Sequence, residues 1–354
     1  MNRPDQVRPP LGGTANELTH RSRVGTDVSV AVRILREGGI VALPTETVYG
    51  LGADASNPDA VSRVFALKGR PENHPLIVHI GGADDIGAWA IDVPEEARLL
   101  AERFWPGPLT AILKRRPGVL DVVTGGQDTV GLRVPDHPLT LELLAEFGHG
   151  VAAPSANRFG RVSPTCASHV DAEFGDGLDY VLDGGACRVG LESTIVDFSA
   201  GGVRILRPGA VTVEDIASVI GGSFVLGSES SEAHTPRVPG SLASHYSPDT
   251  PVRAAQAEDL ERSVASALHR GLKVCVMHRS PAPKGAHLDG ARWVRMPEGS
   301  DEYGRTLYAT LRELDTPECD LIVVEALPDS PRWAAARDRL SRAAEGDQAE
   351  DAGP

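Results

Sequence analysis

From Val28 to Gly222, short apolar runs interleave with amphipathic helical stretches, yet several of the runs follow one another with no helix between them. "IVALP" (40–44), "PLIVHI" (75–80), "PLTAILKR" (108–115), "TVGLRVP" (129–135), "YVLDGG" (180–185), "STIVDFS" (193–199) and "VRILRPG" (203–209) read as strands, and "VAAPSAN" (151–157) as a strand entering a loop. Parallel neighbours need a long crossover, usually a helix, whereas strands joined directly tend to pair antiparallel. The pattern therefore predicts an α/β fold with a mixed, twisted sheet and helices packed on it, not a purely doubly wound one. Helices are expected at "VSVAVRILREGG" (28–39), "PEEARLLAERF" (94–104), "HPLTLELLAEFG" (137–148) and "TVEDIASVIG" (212–221). Another begins at Asn57 and Pro58, a capping residue followed by proline in the first turn. Its buried stripe is Ala60, Val61, Val64, Phe65 and Leu67.

After Gly222 the apolar periodicity fades into the serine- and proline-rich stretch 223–250, read as a linker. A second alternation starts at Val252: helix "LERSVASALHRG", strand "KVCVMHR", helix "GRTLYATLRELD", strand "DLIVVEAL" and helix "WAAARDRLSRAA". Residues 251–345 thus form a smaller α/β, Rossmann-like domain, and 26–222 the first domain. The 354-residue chain is long enough for two such cores. Residues 1–25 read as a disordered arm without an apolar signal core, and 346–354 as a solvated acidic tail.

No apolar run approaches the length of a membrane span. The four cysteines show no metal-like or framework spacing, which suits a reducing cytoplasm. The formal net charge of −14 argues against a protein that mainly grips nucleic acid. An anion site must then be a local basic pocket on an acidic surface.

"PTETVYGLGADA" (44–55) carries far more hydrogen-bonding capacity than a strand–helix turn uses. Lys68 and Arg70 stand at the end of the following helix, where basic residues also serve a plain terminus beside Gly69. "RPENHPLIVHI" places His74 and His79 around a buried strand, its path fixed by two prolines. Thr129 and Arg133 are four apart on one strand and so share a face. A buried arginine needs an anionic partner, either an internal carboxylate or a ligand carboxylate or phosphate. Small residues lead into Ser155, Asn157 and Ser163, and "GLESTIVD" adds Ser193, with Arg207 at the end of a later strand. The set suits a nucleoside triphosphate plus a small polar co-substrate, acted on by positioning and charge neutralisation. Dinucleotide, P-loop, serine-hydrolase and zinc signatures are absent from the sequence.

In this order, "PTETVYGLGADA", "LKGRPENHPLIVHI", "FWPGPLT", "TVGLRVPDHP", "AAPSAN", "LESTIVD" and "ILRPG" resemble the Sua5/YciO/YrdC family. The linker "VPGSLASHYSP" makes the likeness specific to its two-domain Sua5 type. The resemblance implies a YrdC-like catalytic domain, a linker acting as a lid, and a Sua5 C-terminal domain. The implied reaction turns L-threonine, bicarbonate and ATP into threonylcarbamoyl-AMP and pyrophosphate. That product serves N6-threonylcarbamoylation of tRNA adenosine 37, completed by a separate transferase complex. By the same resemblance Thr47, His79, Arg133, Ala153 and Ser193 are the threonine set. Lys68, Arg70, His74, Thr129, Ser155, Asn157, Ser163, Arg207 and Tyr246 are the ATP set. Lys68, Arg70 and Mg²⁺ are expected to offset charge on the phosphates. The alternative is a YrdC-like RNA-binding module without synthase activity, which the acidic balance disfavours.

Overall fold

The computed structural model describes residues 23–221, 224–226, 235–240, 245–282 and 288–348. The first domain runs β1 (Val24–Gly25), α1 (Val28–Arg36), β2 (Val41–Leu43), β3 (Gly50–Asp54), α2 (Pro58–Lys68), β4 (Ile77–His79), α3 (Ile86–Trp89) and α4 (Glu95–Phe104). It continues through β5 (Leu109–Lys114), α5 (Asp121–Thr124), β6 (Thr129–Arg133), α6 (Pro138–Phe147), β7 (Val151–Ala152), α7 (Ala167–Phe174) and β8 (Tyr180–Leu182). β9 (Thr194–Asp197), β10 (Val203–Arg207), α8 (Val213–Ile220) and β11 (Phe224–Leu226) complete it. The eleven strands form one sheet in the order β1-β8-β2-β3-β7-β4-β6-β5-β9-β10-β11. Pairing is mixed, as expected: β2–β3 and β5–β6 are antiparallel, β4–β6 and β5–β9 parallel.

Local chemistry fixes the flanking helices. Asp27 caps α1 by accepting from the amides of Ser29 and Val30, and Val28, Ala31, Val32 and Leu35 form its buried stripe. Asn57 caps α2 in the same way, and Gly69 ends it in the left-handed conformation at φ +63°.

The smaller domain contains β12 (Val252–Ala255), α9 (Leu260–His269), β13 (Val274–His278), β14 (Arg292–Arg295), α10 (Ser300–Leu314), β15 (Leu321–Glu325) and α11 (Ala334–Gln348). Its four strands are all parallel, in the order β12-β15-β13-β14. The two domains share an apolar cluster: Val48, Val162 and Leu191 from the first meet Leu307, Tyr308 and Leu340 from the second, with Tyr246 of the linker between.

Three expectations change. The arm is ordered from Arg23, because Val24–Gly25 pairs with β8 and Arg23 bonds Asp171 and Asp176; residues 1–22 lie outside the described residues. The acidic tail begins later than position 346, since α11 runs to Gln348. "GLGAD" is a central strand although its composition is poor for one. Glycine is required there by close packing: a Cβ on Gly52 would lie 2.7 Å from Leu43 Cδ1 and 3.0 Å from Val151 Cγ1.

Candidate active site

The β2–β3 connection forms one wall of a cavity of about 50 Å³. Thr45 folds it: its hydroxyl accepts the amides of Thr47 and Val48 and donates to Val48 O at 2.6 Å. The turn holds the Thr47 hydroxyl 2.8 Å from that of Thr45. Tyr49 faces the opposite way, donating to Gly185 O at 2.9 Å, so it supports the wall from behind.

Five residues from separate segments meet on this cavity: Thr47, His79, Arg133, Ala153 and Ser193. β4 and β6 are adjacent and parallel, with His79 and Arg133 in register. Arg133 Nη2 lies 2.7 Å from Glu46 Oε1, and its Nε donates to Gly107 O at 3.2 Å. The arginine thus has an internal carboxylate, and it also lines the cavity. His79 is 3% exposed and its Nδ1 has no partner among the described residues. Burial, then Arg133, holds its pKa well below the usual histidine value, so the ring is neutral at pH 7. The Ser193 hydroxyl lies 2.7 Å from that of Thr110 and accepts from Arg207 Nη2 at 3.2 Å.

The other end is cationic. Arg70 Nη2 donates to Pro75 O at 2.8 Å, and its guanidinium lies over Phe159. Arg207 donates through Nε and Nη2 to Ser193 O and through Nη1 to Pro239 O. Neither has a carboxylate at ion-pair distance among the described residues. Burial lowers the pKa of Arg70 to about 10, with Arg207 adding to the fall. Lys68 is lowered by burial and by Arg70. Two buried guanidinium groups on the wall, Arg70 and Arg207, make a site for an anion.

The linker roofs the cavity through Pro239, Gly240, His245 and Tyr246. The Gln127 side-chain amide holds one margin, accepting from Arg237 N at 2.7 Å and donating to Arg237 O at 3.1 Å. Ser247 N donates to Gly160 O at 2.9 Å on the other. Tyr246 is 1% exposed and adopts φ +63°, and its ring stacks on Tyr308 at 5.9 Å. "SLAS" (241–244) lies outside the described residues.

Of the ATP set, Arg70, Ser155, Arg207 and Tyr246 line the cavity. Lys68, His74, Thr129, Asn157 and Ser163 are not on its wall. Lys68 is buried, not a solvated helix end; its Nζ donates to the carbonyls of Ser155 and Asn157. It therefore shapes the "PSAN" loop from beneath. Asn157 Nδ2 ties down the carbonyls of Arg158 and Arg161. Ser163 Oγ donates to Glu192 at 2.6 Å. His74 packs edge-on against Phe159. Thr129 shares a face with Arg133 but sits at the other end of β6, roughly 13 Å along at about 3.3 Å per residue. There it lines an outer cleft with Gln127, Thr235 and Pro236. Sequence reasoning missed Glu192, a buried carboxylate on the cavity wall, and Thr45. The signal for Glu192 was its place before Ser193, a charge opening an apolar strand.

The Sua5/YciO/YrdC model, described as telomere recombination, matches residues 33–209. The model described as threonylcarbamoyl-AMP synthase, C-terminal domain, matches residues 211–345. The chain is 37% identical over 323 residues to the threonylcarbamoyl-AMP synthase of Pyrococcus abyssi, covering 89% of this chain and 93% of that one. It is 38% identical over 322 residues to that of Bacillus subtilis, covering 90% and 93%. The crystal structure of P. abyssi Sua5 complexed with L-threonine matches with a TM-score of 0.83 at 36% identity, over 90% of this chain and 94% of that one. By sequence, by both domains and by fold, this chain belongs to the Sua5/YciO/YrdC family, in its two-domain Sua5 form.

Proposed function

We propose that the chain is an L-threonylcarbamoyladenylate synthase, joining L-threonine, bicarbonate and ATP into threonylcarbamoyl-AMP with release of pyrophosphate and water. The observation that carries this reading is the meeting of Thr47, His79, Arg133, Ala153 and Ser193 in one cavity beside buried Arg70 and Arg207, neither with a carboxylate at ion-pair distance among the described residues. A zwitterionic amino acid fits the first group. Arg133 takes its carboxylate, and the hydroxyls and the free Nδ1 of His79 take its polar side chain or amine. The ammonium group must lose its proton before nitrogen attacks the carbon of bicarbonate, with loss of water; neutral His79 can hydrogen-bond the amine, but its lowered pKa makes it a weak base for that proton. The carbamate oxygen then displaces pyrophosphate from the α-phosphate, where Arg70 and Arg207 offset the developing charge.

The described residues hold no group of three or more metal-ligating side chains. Glu192, the carboxylate on the wall, is occupied by Arg339. Mg²⁺ is expected to enter with ATP, as part of the nucleotide substrate. At about 50 Å³ the cavity is far smaller than the roughly 300–1,000 Å³ of a ligand pocket, so the lid moves to admit ATP. Once closed it keeps water from a labile mixed anhydride. The product passes to a tRNA threonylcarbamoyl transferase complex. Four free thiols fit a cytoplasmic setting, and no helix among the described residues is long and apolar enough to cross a membrane.

Pyrophosphate release from ATP that requires both threonine and bicarbonate tests the assignment. Release independent of threonine rejects it. Duplex RNA retention on a filter at physiological salt, without such turnover, would instead favour the RNA-binding reading.

A further inference from the structure

The synthase reading leaves the C-terminal domain without a task, and a buried ion pair across the domain boundary supplies one. Glu192 reaches the cavity wall directly before Ser193 and is 6% exposed. Its carboxylate is bonded from both domains. Ser163 Oγ donates to Oε1 at 2.6 Å, and the Tyr308 hydroxyl donates to Oε2 at 2.9 Å. Arg339 Nε donates to Oε2 at 2.8 Å. Tyr308 lies on α10 and Arg339 on α11. Arg339 is 1% exposed, donates through Nη1 to Asp338, and lays its guanidinium over the Tyr246 ring at 5.2 Å.

An ionised carboxylate on this wall opposes the binding of phosphate. It also draws on the nearby Arg207 charge. Glu192 is ionised at pH 7: burial alone would raise its pKa, but Arg339, then Arg207 and Ser163, bring it to about 2. A counter-charge is needed that is not taken from the phosphate site, and Arg339 is the side chain placed to provide it.

We propose that Arg339 of the C-terminal domain is a positioning residue for the nucleotide site: it neutralises and fixes Glu192, which leaves Arg70 and Arg207 to the triphosphate. The same guanidinium seats the lid ring of Tyr246, so lid and charge balance are set from one point. This rests on the ATP reading of the cavity.

The test measures pyrophosphate release by the full-length protein, with ATP varied at saturating threonine and bicarbonate, and then with threonine varied. Arg339→Met is expected to raise the ATP KM about ten-fold or more and the threonine KM less than about three-fold. Adding Glu192→Gln removes the orphaned charge and is expected to return the ATP KM to within about three-fold of wild type. An unchanged ATP KM in Arg339→Met overturns the proposal. A double variant no better than the single also overturns it, because Arg339 then acts through packing alone. Where Arg339→Met does not fold, the double variant decides. A folded protein with near wild-type ATP KM upholds the coupling, and an unfolded one or a raised KM rejects it. Failure of the wild type to release pyrophosphate from ATP removes the underlying functional reading instead, and is seen before any substitution is made.

Discussion

Gly240→Ala is the sharpest single perturbation of the lid. Gly240 sits at φ +80°, and a Cβ there would lie 2.1 Å from the Tyr246 hydroxyl oxygen and 3.4 Å from Arg207 Nη1. The hydroxyl cannot swing aside cheaply. Its ring is held by Tyr308 at 5.9 Å, His245 at 4.2 Å and the Arg339 guanidinium at 5.2 Å. A left-handed non-glycine residue costs about 1–2 kcal/mol. Overpacking a filled site adds about 1–3 kcal/mol. The closed lid should therefore lose ~2–5 kcal/mol, or roughly 30-fold or more of its population, since about 1.4 kcal/mol is ten-fold. The first domain's sheet is untouched, so circular dichroism should not change. Amide exchange at Ser247, whose N–H donates to Gly160 O in the closed form, should accelerate, and kcat/KM for ATP should fall in step. A variant with wild-type exchange and wild-type kcat/KM would refute the closure argument.

Four further outcomes are expected. Arg70→Met should lower pyrophosphate release about 100-fold while leaving the melting temperature unchanged or raised, because burial and Arg207 both disfavour its charge in the free protein. Lys68→Ala should lose melting temperature as well as activity, since two buried carbonyls are left unpaired at about 1–3 kcal/mol each; equal melting temperatures for wild type and Lys68→Ala would contradict that. Valine should be rejected far more strongly than serine as a substrate: a site bonding a hydroxyl discriminates about 10⁴-fold, and a lost methyl only about 10–200-fold. Comparable rates with valine would place threonine elsewhere. Below pH ~6.5 the lid should loosen. Burial pushes His245 down to about 3 in the closed form, with Arg70, Lys68 and Arg207 assisting, against ~6.5 in water. Protons then bind the open form preferentially between those values. Closure is full above pH ~6.5 and weakens by ~1.4 kcal/mol at pH 5.5. Exchange at Ser247, corrected for intrinsic rate, that is flat from pH 7.5 to 5.5 would exclude this.

The mixed sheet and its helices were legible wherever apolar period and caps agreed. α1 and α2 show an asparagine or aspartate cap followed by a stripe, and both ends fall close to the expected residues. β3 was not legible, because close contact with Leu43 and Val151 selects glycine over β-formers there. β14 was missed for the opposite reason: with two arginines exposed and Trp293 and Val294 half-buried, it lacks an apolar run. α7 has three buried residues in eight and a Cys166 cap that makes no side-chain bond, so it carries neither signal.

The site divides along the same physical line. Residues that meet through strand register, such as His79 and Arg133, could be placed from their own segments, because adjacent strands carry them to one height. Lys68 could not, since a helix-end lysine reads as solvated until the "PSAN" loop is folded over it. The pairing of Glu192 with Arg339 spans 147 residues and two domains, and no local spacing announces it. The lid shows why such pairings matter to function. Tyr246 holds a strained φ of +63°, at about 1–2 kcal/mol. Burying its ring returns about 1.5–3 kcal/mol. The two nearly cancel, and the buried Tyr246 hydroxyl and His245 Nδ1 have no partner among the described residues. Each such group costs about 1–3 kcal/mol. Those two groups therefore weigh against closure over an empty site. A nucleotide offering acceptors and donors to those two atoms shifts the lid toward closed, while Arg339 keeps the ring's seat in place throughout.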